Sequence, residues 1–192
     1  TCPHCYNTFK NEYPAFNGVY EVYHSTEFIY KLLKENKLSL NRINLSSKMA
    51  FHDSCYLGRV NDIYEQPREI INRIHLHQLI EPGEKHHEKS FCCGAGGGRM
   101  WLDETIGERI NHVRLDQFAA MDVQQLVIAC PYCLIMFDDA IKDKGIEHKM
   151  NTVDLIEMVA MSLNLKCTDE ETDDLVVEGK GEKDLFSVDI TS

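Results

Sequence analysis

Gln125-Leu126-Val127-Ile128-Ala129-Cys130-Pro131-Tyr132-Cys133 reads as a short buried strand that delivers a pair of cysteines to the start of a helix. Cys133 then falls on a first helical turn, where free N–H groups and the helix dipole favour a thiolate. Working outward, the same arrangement recurs upstream. Met49–His52 reads as a strand followed by Cys55, and Lys89–Cys92 as a strand running into the adjacent pair Cys92-Cys93. The gaps are equal, with 36 residues between Cys55 and Cys92 and 36 between Cys93 and Cys130. Five thiols in such a pattern exceed what a core needs. Thiolate is the soft ligand that selects zinc or iron–sulfur clusters, and five exceed a simple tetrahedral site.

Between the short runs lie longer segments of helical periodicity at Thr26–Asn36, Pro67–Ile80, Asp103–Met121, Tyr132–Lys144 and Val153–Leu163. Val19–His24 is a further strand candidate. In Pro67–Ile80 the apolar residues Ile70, Ile71, Ile74, Leu76, Leu79 and Ile80 share a helical spacing, and Pro67 suits a first turn. Asn151-Thr152, with Asp154 close behind, resembles a capped helix start. Alternation of strands and helices implies an α/β fold, a mainly parallel sheet with flanking helices. Ligands in such sheets collect beyond the carboxyl ends of the strands, so loops far apart in sequence would converge there.

A partial repeat is also visible. Cys2-Pro3-His4-Cys5 with Phe9 matches Cys130-Pro131-Tyr132-Cys133 with Phe137 at an offset of 128 residues. Thr26-Glu27-Phe28-Ile29 then resembles Val153-Asp154-Leu155-Ile156 after a one-residue slip. The expected organisation is a truncated first module with its linker at 1–45, a complete module at 46–164, and an acidic, disordered tail at 165–192. The chain opens inside a motif without Met, which reads as a fragment or a processed chain.

Of 192 residues, 20 are basic and 31 acidic, a net charge of −11 that argues against nucleic acid as a partner. From Lys166 onward nine acids and three bases concentrate −6 of that charge in a stretch short of aromatics. No run approaches the roughly 18 apolar residues of a spanning helix, so no membrane segment is expected within this chain. Eight cysteines without a secretory leader, two of them vicinal, favour metal binding in a reducing cytoplasm over disulfides.

Phe91-Cys92-Cys93-Gly94-Ala95-Gly96-Gly97-Gly98-Arg99 joins the vicinal pair to four glycines. Backbone N–H groups of such a loop can donate to an anionic centre. The segment lacks GxxxxGK[ST], and its glycines are too bunched for a dinucleotide fingerprint. With Phe51-His52-Asp53-Ser54-Cys55-Tyr56-Leu57-Gly58-Arg59 around the first cysteine, the pattern resembles the cysteine-rich CCG module of iron–sulfur oxidoreductases. Those include the B and D components of heterodisulfide reductase and electron-transfer-flavoprotein-linked quinone reductases, and the Gly-Gly-Arg-Met-Trp-Leu run is most similar to the latter.

The resemblance implies a Rossmann-like module and a [4Fe–4S] cluster, cubane or non-cubane, held by Cys55, Cys92, Cys93, Cys130 and Cys133. Cys2 and Cys5 would belong to a partial second site. Gly94, Gly96, Gly97 and Arg99 would line the cofactor. It also implies electron transfer between a flavoprotein donor, or other iron–sulfur subunits, and a quinone or disulfide acceptor. The expected location is cytoplasmic, with any membrane attachment through segments absent here. Ser54 departs from the proline usual in the family.

Two rival readings are a zinc-stabilised structural module and a thiol–disulfide oxidoreductase; neither requires all five cysteines and the glycine loop. His52-Asp53 reads either as support for the centre or as a pair shaping a turn, and Arg59 and Arg99 as charges offsetting the centre or as surface ion pairs. Met100 and Trp101 read as packing rather than as conduits for electrons. His75 and His77, two apart on a helix, make a poor metal pair, and His86-His87 reads as loop surface. No catalytic residue is identifiable.

Overall fold

The structure is a computed structural model that describes residues 1–43, 47–75, 79–102, 104 and 106–165. Three short parallel strands form its sheet, in the order β1 (Met49–Phe51), β2 (Gln125–Ile128), β3 (Asn151–Asp154). Met49 pairs with Gln125, and Gln125 in turn with Asn151. The helices are α1 (Pro3–Asn7), α2 (Ser25–Lys34), α3 (Glu65–Ile74), α4 (Ile110–Ala119), α5 (Pro131–Asp143) and α6 (Leu155–Ser162).

Alternation along the strands builds a three-layer α/β sandwich. Met49, Phe51, Val127 and Val153 share one core with Leu33 of α2, Ile70, Ile71 and Ile74 of α3, and Leu155 and Met158 of α6. Ala50, Leu126 and Ile128 share the other with Leu115 and Phe118 of α4 and Met136, Phe137 and Ile141 of α5. With both faces covered, β1 and β2 are almost wholly apolar, as parallel strands usually are. Burying a side chain such as Phe118 or Phe137 contributes about 1.5–3 kcal/mol. The α/β expectation and the parallel sheet hold.

Several expected elements change. α3 stops at Ile74, because His75 is extended (φ −92°, ψ 140°) and the chain returns to the sheet edge, where the Ile80 N–H bonds the Met49 carbonyl at 2.8 Å. The apolar residues at 79 and 80 therefore serve the sheet rather than a helix. His75 is buried beyond the helix end, and His77 lies outside the described residues.

Lys89–Cys92 is not a strand. With Ile80 at the edge of β1, this segment crosses the carboxyl end of the sheet, tied down through Ser90. Val19–His24 is likewise a loop with no ladder partner among the described residues. α4 starts only at Ile110, after Gly107 in a left-handed conformation (φ +74°). The expected helix Val153–Leu163 divides into β3 and α6. Its cap is Asp154, whose carboxylate accepts the Ile156 N–H at 2.8 Å while Glu157 reaches back to the Asp154 N–H.

That cap has a counterpart in the N-terminal stretch. His24 caps α2 by accepting from the Thr26 N–H, and Glu27 answers three residues on. The caps correspond at an offset of 130 residues, which replaces the one-residue slip read from the sequence. Both CPxC motifs also start helices alike, with an extended cysteine at the cap and proline in the first turn. The expected acidic tail and Cys167 lie outside the described residues.

Candidate metal centre

Each cysteine reaches its position through an element end. Cys55 lies in the turn after β1, Cys130 caps α5 directly after β2, and Cys133 sits on the first turn of α5. Cys92 and Cys93 arrive on the segment crossing above them, which two arginines hold by Ser90. Arg59 donates to the Ser90 carbonyl at 2.5 Å and Arg114 to its hydroxyl at 3.2 Å, while that hydroxyl donates to the Asp53 carbonyl at 3.2 Å.

The five thiols form one unbroken line of contacts. Cys55 meets Cys92, Cys92 meets Cys93, and Cys133 meets both Cys93 and Cys130. Protons divide unevenly along the line. Contact with Cys55 and Cys93, joined by the Gly94 N–H at 3.3 Å, holds the Cys92 thiol down to about 2. The Cys133 thiol and backbone N–H groups lower Cys130. Cys55 and Cys133 are raised by those same contacts and by burial. Contact with Cys133 lowers Cys93, but its contact with Cys92 and its burial prevail and push it up to about 12. Five sulfurs in contact make an electron-rich, multidentate donor set.

Gly94 is required where it stands. Its φ of +90° is left-handed, and a Cβ there would come within 3.0 Å of the Ile110 Cβ. Gly96 and Gly97 continue the loop, Gly97 also left-handed, with open space in front of both. Arg99 instead turns to Glu104, which its Nε meets at 2.8 Å. Together with Met100, Trp101, His4 and Tyr132, Gly96, Gly97 and Gly98 line a cleft of about 280 Å³. Trp101 is 79% exposed, so it does not pack as expected.

Cys2 and Cys5 touch each other rather than the five-thiol line. His4 joins the two groups, its Nδ1 lying 3.9 Å from the Cys2 sulfur and 4.0 Å from that of Cys130. The His4 ring packs on Tyr56 at 4.3 Å and edge-on to Tyr132 at 5.3 Å.

His52 and Asp53 do not pair. Asp53 takes a bidentate grip from Arg68 at 2.7 and 2.8 Å, plus the His87 N–H at 2.8 Å. Burial alone would raise its carboxyl, but these donors outweigh burial and lower it. Arg68 also holds Glu81 at 2.7 Å. The His87 ring meets Glu65 at 2.9 Å, so this histidine is a brace rather than idle loop surface.

His52 faces the thiols. A ring nitrogen of His52 and the sulfurs of Cys93 and Cys133 all lie within 4.8 Å of one another. The other group missed by sequence reasoning is Arg114, wholly buried and stacked on Phe118 at 4.3 Å. Its signal was a charge at the i±4 position between Ile110 and Phe118 on an apolar face.

Burial drives His52 down to about 3 and His24 down to about 4. Both stay neutral in the fold, whereas an unfolded histidine takes up a proton near 6.5. Below pH 6.5 the unfolded chain therefore binds protons that the folded one refuses, and stability falls. The slope is about 1.4 kcal/mol per pH unit for each histidine, continuing toward pH 4. Urea unfolding of metal-free protein at pH 7.5, 6 and 5 checks this; a flat midpoint would contradict it.

A thiol-rich site at the carboxyl end of a parallel sheet defines a cysteine-rich α/β domain, and comparison with known families agrees. Residues 49–138 match the cysteine-rich domain called CCG.

Among curated proteins, the chain is 47% identical over 161 residues to "Probable iron-sulfur-binding oxidoreductase FadF" of Bacillus subtilis, covering 84% of this chain and 23% of that one. It is 44% identical over 165 residues to "EtfAB:quinone oxidoreductase" of Syntrophomonas wolfei, covering 82% and 23%. With the D component of the dihydromethanophenazine:CoB–CoM heterodisulfide reductase of Methanosarcina mazei it shares 29% identity over 168 residues, covering 86% and 40%. The chain spans about a quarter of the length of the first two. Among the described residues no helix is long and apolar enough to cross a membrane.

Proposed function

We propose that this chain is the iron–sulfur-binding, electron-transferring part of a multi-component oxidoreductase, working between a flavoprotein and a quinone or disulfide acceptor. The observation that carries the reading is the continuous line Cys55–Cys92–Cys93–Cys133–Cys130, five sulfurs from three separate loops. Relatives named as an iron–sulfur-binding oxidoreductase and a quinone oxidoreductase support it.

The residues fit such a group. The donor set is soft, backbone N–H groups surround it, and it exceeds the four donors of a zinc site. When bound, an iron–sulfur cluster, of the [4Fe–4S] type on this reading, supplies one-electron chemistry. The chain's own residues do the rest. The five cysteines hold the metal, the Gly94 N–H stabilises negative charge on sulfur, and α4 and α5 exclude water. The cleft between Gly96, Trp101 and Tyr132 is the approach for the acceptor.

Cys2 and Cys5 are then the remainder of a second, similar site within 1–45, beside the complete module at 46–164. Seven free cysteines among the described residues suit a reducing, cytoplasmic setting.

The test is anaerobic reconstitution with iron and sulfide. A broad visible chromophore and an EPR signal in one redox state are expected, with several irons per chain. A colourless protein that binds only zinc would remove the reading.

A further inference from the structure

His52 is a core residue with an unmet need. It is 1% exposed, and its Nδ1 has no hydrogen-bond partner among the described residues. Phe137 at 4.8 Å and Phe118 at 6.4 Å, both edge-on, hold its ring. Neither aromatic edge can accept a strong hydrogen bond, and the nearby carboxylate, Asp53, is fully taken by Arg68 and the His87 N–H. The side chain therefore carries the cost of a buried polar group without a return in the metal-free fold. Phe118 and Phe137 give its ring apolar walls, against which a leucine would pack without an unpartnered polar atom.

The missing partner is close at hand, since the His52 ring and the sulfurs of Cys93 and Cys133 fall within 4.8 Å of one another. We infer that His52 is a positioning residue for the metal centre, donating its ring N–H to sulfur of the loaded site. Donation to sulfur stabilises the more negative, reduced state and so raises the potential. The aromatic pair gains a role as well, because Phe118 and Phe137 lock the imidazole so that the donor is in place before loading. This inference rests on the iron–sulfur reading above and adds to it a residue outside the cysteine set.

The experiment compares wild type with His52→Leu and His52→Asn in two measurements. The first is thermal unfolding of the metal-free proteins. Leucine removes the unpartnered polar group, so its Tm is expected to rise by about 2–4 °C. The second is a redox titration of the reconstituted proteins followed by EPR. At a fixed poise the reduced-to-oxidised ratio of His52→Leu is expected to fall about tenfold, which is about 59 mV for a one-electron couple. His52→Asn, whose amide N–H falls near the position of Nδ1, is expected to recover most of that shift.

Equal potentials in wild type and His52→Leu would overturn the inference and leave the iron–sulfur reading intact. A lower metal-free Tm for His52→Leu would also overturn it, because the imidazole would then be serving the fold. A wild type that takes up no iron would overturn the iron–sulfur reading, and this inference with it.

Discussion

Asp53→Ala is expected to destabilise the domain by about 3–5 kcal/mol, because it strands a buried cation. Asp53 and Arg68 are both buried, with side-chain exposures of 2% and 8%. Removing the carboxylate leaves the guanidinium in the core over the Phe51 ring, with the partly exposed Glu81 as its remaining carboxylate and the Tyr64 carbonyl as a neutral acceptor. The loss spreads to the site as well. The His87 N–H would lose its acceptor, loosening the approach to Ser90 and the vicinal cysteines.

Urea unfolding at neutral pH measures the effect, and Asp53→Asn, which keeps one acceptor, should fall between wild type and alanine. Replacing both partners, with Asp53→Leu and Arg68→Met together, should recover much of the loss, because no uncompensated charge remains. A midpoint unchanged by Asp53→Ala would mean that the ion pair contributes nothing beyond its own desolvation.

How much of this was legible in the sequence differs between the two levels. β1, β2, α2 and α5 could be read because each carries its own local pattern and is buried where that pattern says. The 36-residue spacing placed three cysteine groups at one sheet end, and the line of sulfur contacts agrees with that placement. What escaped was set by tertiary context. Residues 79 and 80 look helical by spacing, but a free sheet edge beside Ala50 competes for them. Lys89–Cys92 has strand composition and no strand to pair with. Asn151–Asp154 is short and half exposed, so only its pairing with β2 makes it a strand. Arg68 and Arg114 carry ordinary helix-surface chemistry, and only the fold makes them buried cations. His52 looked like half of a His–Asp pair because the two are adjacent. Successive residues near a strand end point to opposite faces, which sends His52 to the thiols and Asp53 to α3.

Cys133→Ala is expected to abolish iron loading while leaving the fold nearly as stable as wild type. Cys133 is the only sulfur of the five whose contacts join the α5 pair to the vicinal pair, since it touches Cys93 on one side and Cys130 on the other. Without it, Cys55, Cys92 and Cys93 remain on one side and Cys130 on the other, and no continuous cage survives. The packing cost is small, because the change removes one sulfur from a core still filled by Met136, Phe137 and Leu115. It also removes a thiol whose proton is awkward to lose in the metal-free state.

Iron content after anaerobic reconstitution should therefore fall to background, with a thermal midpoint within a few degrees of wild type. Cys5→Ala is the matching control. Cys5 is exposed and meets Cys2 rather than the five-sulfur line, so that centre should load normally. If Cys133→Ala retained a full complement of iron, or if Cys5→Ala lost it, the metal would have to be held by a different set of cysteines.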